Sequence, residues 1–291
     1  MVFYKIEQDF SKHDNIDGYD GDSVMILTPE EFEAMTKTQE FYKTLAPRYQ
    51  NAQCCRAIVH KDCVSGTFSV LSKDKKIERN NFGFILDAKH IMFIDSGTTV
   101  KSCIKKISKD KFHHGMKLGR FLYEFLETLI GNDLRYLEEM SDRLIKMESA
   151  VAQGQTDNFT VPMAKFRKEV LMFYRYYTQL IDVGTELQEN ENDYFSDEDI
   201  KLFRKLTLRA TQLQDETKYL REYSNQIRDA FRNQIEMKQN KNMNLLTAVT
   251  TMFTPAMIFT AWYGMNFKVF PELDHPYAYP IFIIANILIV V

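Results

Sequence analysis

Cysteine is scarce, tryptophan nearly absent and charge close to balanced, and these shortages exclude several classes of function. The four cysteines, Cys54, Cys55, Cys63 and Cys103, show no Cys-x-x-Cys spacing, so they predict neither a disulfide scaffold nor a zinc ribbon. Reduced thiols in a cytosolic compartment are the reading they support. A formal net charge of −3 leaves no basic excess to displace phosphate counterions, which argues against a nucleic-acid partner. No P-loop or other nucleotide motif occurs. The N-terminal segment carries Lys5, Glu7 and Asp9 and no apolar core of signal-peptide length, so the N-terminus is expected to stay in the cytoplasm.

The most informative shortage is local. Between Lys241 and Lys268 no residue ionises near neutral pH, a gap longer than the ~20 helical residues that cross a hydrocarbon core. A second uncharged run, Pro276 to Val291, falls short of that length. It is expected to be a second crossing whose far end lies beyond the sequence. Arg228, Arg232, Lys238 and Lys241 precede the first run, whereas the following loop offers Lys268 against Glu272 and Asp274. Basic flanks stay on the cytoplasmic side, so the loop is expected outside and both termini inside.

The first ~110 residues are mixed in period. Runs rich in β-branched and aromatic residues predict strands at Val2–Ile6, Ala57–His60, Thr67–Leu71, Phe82–Leu86 and Ile91–Ile94, with helices at Pro29–Thr36 and Thr99–Ile107. That mixture predicts an α+β cytoplasmic domain, a sheet with flanking helices. From Met116 the pattern turns helical. Leu118, Leu122, Phe125, Leu129, Leu134, Leu137, Met140, Leu144 and Met147 predict one long amphipathic helix, broken at Gly154–Asn158. A second helix over Val161–Gln188 would complete an antiparallel hairpin.

The third helix opens at Ser196 with an acidic first turn and meets no proline before Pro255. Leu206, Leu213, Leu220 and Ile227 fall seven apart, with Ala210, Thr217, Ser224 and Phe231 between them. This narrow seam predicts packing between subunits, with a partner helix in the same chain as the alternative. A helix of about 65 residues reaches roughly 100 Å, a stalk that enters a membrane. The expected organisation is therefore a cytoplasmic α/β subdomain over 1–112, a helical hairpin over 113–195 and a stalk helix over 196–241. A first transmembrane helix over 242–263, an outer loop over 264–276 and a second transmembrane helix over 277–291 follow.

At the outer end of the first apolar run stands Tyr263-Gly264-Met265-Asn266-Phe267, followed by Phe270-Pro271-Glu272-Leu273. Here the sequence resembles the CorA magnesium-transporter family, whose signature is a Gly-Met-Asn triplet closing the first of two C-terminal transmembrane helices. The resemblance implies a funnel-shaped homopentamer in the plasma (inner) membrane, with Mg²⁺ as the transported ion, Co²⁺ and Ni²⁺ as further candidates, and no cofactor. It implies no enzymatic activity. Carried over by position, it turns Asn240, Met243, Leu246, Thr250, Thr254 and Met257 toward a pore. Met243 and Leu246 would form an apolar constriction, with Asn240 a polar ring below it. Gly264, Met265 and Asn266 would form the selectivity filter. The Gly264 carbonyl and the Asn266 amide oxygen would hold the ion through its water shell, because Mg²⁺ gives up water reluctantly.

Lys268 stands where the family usually carries an acidic residue, which leaves Glu272 and Asp274 to attract cations in the outer loop. Lys205 aligns with an acidic position through which the family is regulated by intracellular Mg²⁺. Two rivals accompany this reading. One is zinc transport by a related branch, against which Met265 argues. The other is a membrane-tethered helical scaffold without transport.

Other patterns have plainer readings. The Asp14, Asp17, Asp20 and Asp22 cluster reads as a solvated turn, because Ile16 or Tyr19 breaks each calcium-loop register. His113 and His114 diverge on a helix. Cys54-Cys55 with His60 and Cys63 lacks an orienting partner for nucleophilic chemistry. Phe173, Tyr174, Tyr176 and Tyr177 read as hairpin packing.

Overall fold

The computed structural model describes residues 2–6, 10–13, 21–38, 54–72, 78–110, 116–155, 158–266, 271 and 275–290. The chain divides into two compact units, Met1–Ser149 with Asn158–Gln226, and Ala150–Asp157 with Ile227–Val291.

In the first unit, strands β1 (Val2–Ile6), β2 (Phe10–His13), β3 (Ser23–Leu27), β4 (Arg56–Val59), β5 (Val64–Leu71), β6 (Arg79–Leu86) and β7 (His90–Asp95) form one sheet. Their order is β2-β1-β3-β7-β6-β5-β4. Strands β3 and β7 pair in parallel, Val24 opposite Ile91, and the other neighbours pair antiparallel. All five expected strands are present, and β2 and β3 are additional. Every residue of β3 is buried, so it shows no alternation, and a period-two reading passes over it.

Both faces of the sheet are covered. On one, Phe3, Met25, Leu27, Ile85, Met92 and Ile94 pack with Phe32 of helix α1 (Pro29–Thr38). A reciprocal cap starts that helix: the Thr28 N–H donates to Glu31 Oε2 at 2.8 Å and the Glu31 N–H to Thr28 Oγ1 at 3.3 Å. On the other face an aromatic cluster of Phe68, Phe82, Phe84 and Phe93 receives Phe125, whose ring lies 4.4 Å from Phe93 and edge-on to Phe82 at 5.8 Å. Helix α2 (Thr99–Asp110) is capped by Asp95, which accepts the Gly97 and Val100 N–H groups at 2.7 and 3.0 Å. The sheet with flanking helices is the α+β arrangement expected.

The single long helix expected from Met116 is two helices, α3 (Leu118–Ile130) and α4 (Asp133–Ala152). The hairpin placed over 113–195 therefore has three helical pieces, the third being α5 (Thr160–Glu189). Gly131-Asn132 supplies the weak point. Long-range partners hold the break open: Arg209 donates to the Gly131 carbonyl at 3.3 Å and pairs with Glu127, and the Tyr177 hydroxyl donates to buried Asp133 at 2.9 Å. Helix α4 closes on Gly154, whose φ of 74° suits glycine, with the Gln155 N–H returning to the Ala150 carbonyl at 2.9 Å.

Helix α6 runs from Asp197 to Tyr263, and α7 from Ala278 to Val290. Its Ser196 cap is present: the Asp199 N–H donates to Ser196 Oγ at 3.3 Å, and the Ser196 hydroxyl to Asp199 Oδ2 at 2.7 Å. The seam on α6 corrects the reading that assigned it to a neighbouring subunit. Leu206, Ala210, Leu213, Thr217, Leu220, Ser224 and Ile227 are already 97–100 % buried within one chain. Their helix lies against α5, where Gln214 Nε2 donates to Thr178 Oγ1 at 2.8 Å and Arg221 sits 5.4 Å over the Tyr174 ring. The polar members cost little there, because Thr217 and Ser224 donate to the Gln214 and Arg221 carbonyls of their own helix at 2.6 and 2.7 Å.

Candidate functional site

The C-terminal part of α6 has a different character from the seam. From Glu236 to Asn266 every residue is exposed except half-buried Pro255 and Ala256. This helix is long and apolar enough to cross a membrane, and none of its apolar window is buried in the chain. Met243, Leu246 and Met257 are 62, 66 and 68 % exposed. An apolar surface of this extent needs lipid or protein to cover it.

At 100° per residue, Asn240, Met243, Leu246, Thr250, Thr254 and Met257 share an arc of about 120°. The sequence expectation placed them on one face, and the unbroken helix keeps them there. The threonines have a definite polarity. Thr250 Oγ1 donates to the Leu246 carbonyl at 2.8 Å, Thr254 Oγ1 to the Thr250 carbonyl at 2.6 Å, and Thr260 Oγ1 to the Ala256 carbonyl at 2.8 Å. Each hydroxyl proton is thus spent inside the helix, which leaves the oxygen lone pairs as acceptors. Such a face suits a hydrated cation, whose waters present protons outward. Sequence reading missed this, since it follows from rotamers.

The helix ends at the Gly264-Met265-Asn266 triplet. The Gly264 N–H donates to the Thr260 carbonyl at 3.0 Å and the Met265 N–H to the Trp262 carbonyl at 3.3 Å, so the last turn tightens. A Cβ on Gly264 would lie 3.2 Å from the Thr260 carbonyl oxygen, close but not prohibitive. Crowding within one chain therefore does not by itself demand glycine there. Met265 is 52 % exposed and Asn266 is also exposed. Tyr263 packs edge-on against Phe282 of α7, ring centres 5.5 Å apart. Beside this contact lies a cavity of about 900 Å³ lined by Phe259, Tyr263, Tyr279 and Phe282 among others. Trp262, Tyr277 and Tyr279 are 60, 65 and 76 % exposed, and Trp and Tyr are the residue types enriched where a helix meets a membrane–water interface.

Glu272 and Asp274, the loop carboxylates, lie outside the described residues, as do Lys268, Asp14, Asp17, Asp20, His113 and His114. Lys205 is exposed on α6. Among the described residues no group of three or more His, Cys, Asp or Glu side chains is placed to hold a metal. Burial pushes the Cys55 thiol up to about 12 and raises Cys63 as well, which disfavours the thiolate at these two positions. Phe173, Tyr176 and Tyr177 are buried in helix packing, as expected.

At the end of the sheet that faces the α5–α6 connection, a polar cluster ties that connection down. Asn192 Nδ2 donates to the His60 carbonyl at 2.9 Å, and the Tyr194 hydroxyl donates to the Asp87 carbonyl. The Asp87 carboxylate accepts the Lys89 and His90 N–H groups at 2.9 and 2.8 Å and contacts His90 Nδ1 at 3.1 Å. Burial opposes its ionisation, but His90 and those N–H groups outweigh it and hold the carboxyl below its usual range.

The family model of the CorA-like Mg2+ transporter protein matches residues 24–291. Among curated proteins, the cobalt/magnesium transport protein CorA of Thermotoga maritima is 23% identical over 160 residues, 55% of this chain and 46% of that protein. The cobalt/magnesium transport protein CorA of Methanocaldococcus jannaschii is 28% identical over 159 residues, 55% of this chain and 50% of that protein. The chain thus spans about half the length of the curated relatives it matches. The complete structure of the CorA magnesium transporter from Methanocaldococcus jannaschii shares the fold, with a TM-score of 0.85 at 21% identity over 99% of this chain and 94% of that one.

Proposed function

Because this chain belongs to the CorA-like Mg2+ transporter family, we propose that it is one subunit of a homopentameric channel that admits Mg²⁺ across the plasma (inner) membrane. Five copies of α6 line the pore with Asn240, Met243, Leu246, Thr250, Thr254 and Met257, and α7 forms the outer ring. The loop after α6 lies outside and both termini are cytoplasmic. The observation that carries this reading is the exposed, uncharged helix face that ends on Gly264-Met265-Asn266.

The chemistry is that of neutral oxygens. Mg²⁺ demands octahedral oxygen geometry and dehydrates reluctantly, so a ring of Gly264 carbonyls and Asn266 amide oxygens holds the ion with its waters on. The acceptor lone pairs of Thr250 and Thr254 continue that environment inward. Met243 and Leu246 narrow the cytoplasmic end with apolar side chains, which close a pore by expelling water. Glu272 and Asp274 concentrate cations at the mouth. Flow is passive: a divalent cation gains roughly 4.6 kcal/mol per 100 mV of inside-negative potential. Co²⁺ and Ni²⁺, with similar hydration, are alternative cargo.

Mg²⁺ uptake into liposomes holding the full chain tests this. Uptake is expected in the wild type and is abolished by Asn266→Ala. Undiminished uptake in that variant removes Asn266 from the filter, and no uptake in the wild type removes the channel.

A further inference from the structure

The arc that runs from Met257 back to Asn240 does not end there. Continued toward the N-terminus of α6 at 100° per residue, it takes in Glu236, one turn and about 6 Å below Asn240, and then Arg232 and Asp229. Burial along the same stretch marks a different side as the one already covered. Ile227 is buried and Phe231, Gln234 and Ile235 are half-buried, whereas Arg232 and Glu236 are exposed. The covered positions centre roughly 135° round the helix from the middle of the arc. Helical projection and burial thus agree that the uncovered face continues unbroken below the apolar segment.

Three charged residues stand on that continuation, and they are not equivalent. Asp229 is engaged, with Arg228 Nη2 at 3.4 Å from its Oδ1. Among the described residues neither Arg232 nor Glu236 forms an ion pair, and an arginine four residues before a glutamate is the weaker order for a helical pair. Glu236 is therefore the uncompensated carboxylate nearest the Met243 and Leu246 constriction, seven residues or about 10 Å from Met243. It precedes Lys241, where the charge-free interval begins, so it stands in water and not in hydrocarbon.

We propose that Glu236 is a further pore-lining residue that sets cation conduction at the cytoplasmic mouth: five copies of its carboxylate, ringed below Asn240, draw the hydrated divalent ion out of the apolar constriction. The proposal rests on the channel reading above. A carboxylate ring favours cations over anions, and contact through the ion's own waters keeps the hold weak enough for release.

Mg²⁺ uptake into liposomes holding the full chain, followed at low and high ionic strength, tests this. Glu236→Gln keeps the side-chain size and removes the charge. At low ionic strength it is expected to lower uptake about tenfold, the low end of what a charged mouth adds to local ion supply. High salt should shrink that gap, and Glu236→Asp should keep most of the uptake. Combining Glu236→Gln with Met237→Glu preserves net charge but turns the carboxylate 100° round the helix, out of the arc, and should not restore uptake. Wild-type uptake in Glu236→Gln, or uptake restored by the displaced carboxylate, overturns the assignment and leaves the channel reading intact. A wild type that takes up no Mg²⁺ fails the channel reading and the proposal with it. Oxidative crosslinking in detergent then still separates placement from flux, with the wild type and its exposed Cys54 as the baseline. Glu236→Cys should join neighbouring copies, and Lys238→Cys, turned away from the arc, should not. Any other pattern takes Glu236 off the axis and overturns the assignment.

Discussion

Gly184 and Gly66 sit where a second element comes within touching distance. A Cβ on Gly184 would fall 2.3 Å from Thr207 Oγ1 on α6, and one on Gly66 would fall 2.2 Å from the Arg56 backbone oxygen on the paired strand. Thr207 Oγ1 also accepts Gln188 Nε2 at 2.6 Å, so it has little room to move. Gly184→Ala should therefore destabilise the chain by about 1–3 kcal/mol, the cost of overpacking. Denaturant unfolding of the full chain reads this, and Thr207→Ala should recover part of the loss. At Gly66 the obstacle is backbone, so no single side-chain change should rescue Gly66→Ala. Asp87 gives a prediction about acid. Its carboxyl is held below the usual range, so its stabilisation is complete above the ordinary carboxylate pKa of ~3.9 and is lost as pH falls through the lower native value. At pH 7 Asp87→Asn should cost on the order of 1–3 kcal/mol, the scale of hydrogen bonds to a charged group. The unfolding midpoints of variant and wild type should converge as the pH drops below ~4. A constant gap across that range would mean that the charge contributes nothing.

At the scale of elements, α6 presents one continuous helix with two kinds of surface. The heptad seam is legible in sequence as an apolar stripe, but a stripe does not name its partner. The structure names it, because Leu213 and Leu220 are 3 and 2 % exposed within a single chain. Leu213→Ala should thus lower unfolding stability by about 2–5 kcal/mol, the cost of an emptied core site. It should leave the assembled mass in mild detergent unchanged at concentrations where the fold survives. A loss of assembly with unchanged subunit stability would restore the between-subunit reading. The break between α3 and α4 teaches a related lesson. Leucine spacing passes smoothly across residues 131–132, and the interruption depends on Arg209 and Tyr177, far off in sequence. Periodicity detects which face is buried and is blind to a partner that arrives from another helix.

At the scale of the whole molecule, the seam correction moves the proposed contact between copies to the other side of α6. Leu208 and Tyr219 are 58 and 57 % exposed, and eleven residues of helix return to nearly the same face. Leu208→Asp combined with Tyr219→Asp should dissociate the proposed pentamer, measured as native mass in detergent, while far-UV circular dichroism keeps its helical signal. An unchanged mass would place the contact elsewhere. Much of the proposed site was readable beforehand. The charge-free interval after Lys241, the proline confined to it and the triplet at Gly264 are facts of composition and order. The threonine polarity was not, because rotamers decide whether a hydroxyl offers a proton or a lone pair.

The sequence alone determined that a long helix leaves an α+β domain, sheds its charges and ends on Tyr-Gly-Met-Asn, since helix period and ionisation are local properties of the residues. Only tertiary structure decided what the helix buries. The stripe from Leu206 to Ile227 is satisfied within its own chain, while the face from Asn240 to Met257 is left uncovered. The physical reason is that burial belongs to pairs of surfaces. One sequence segment specifies its own face and not the one that comes to meet it.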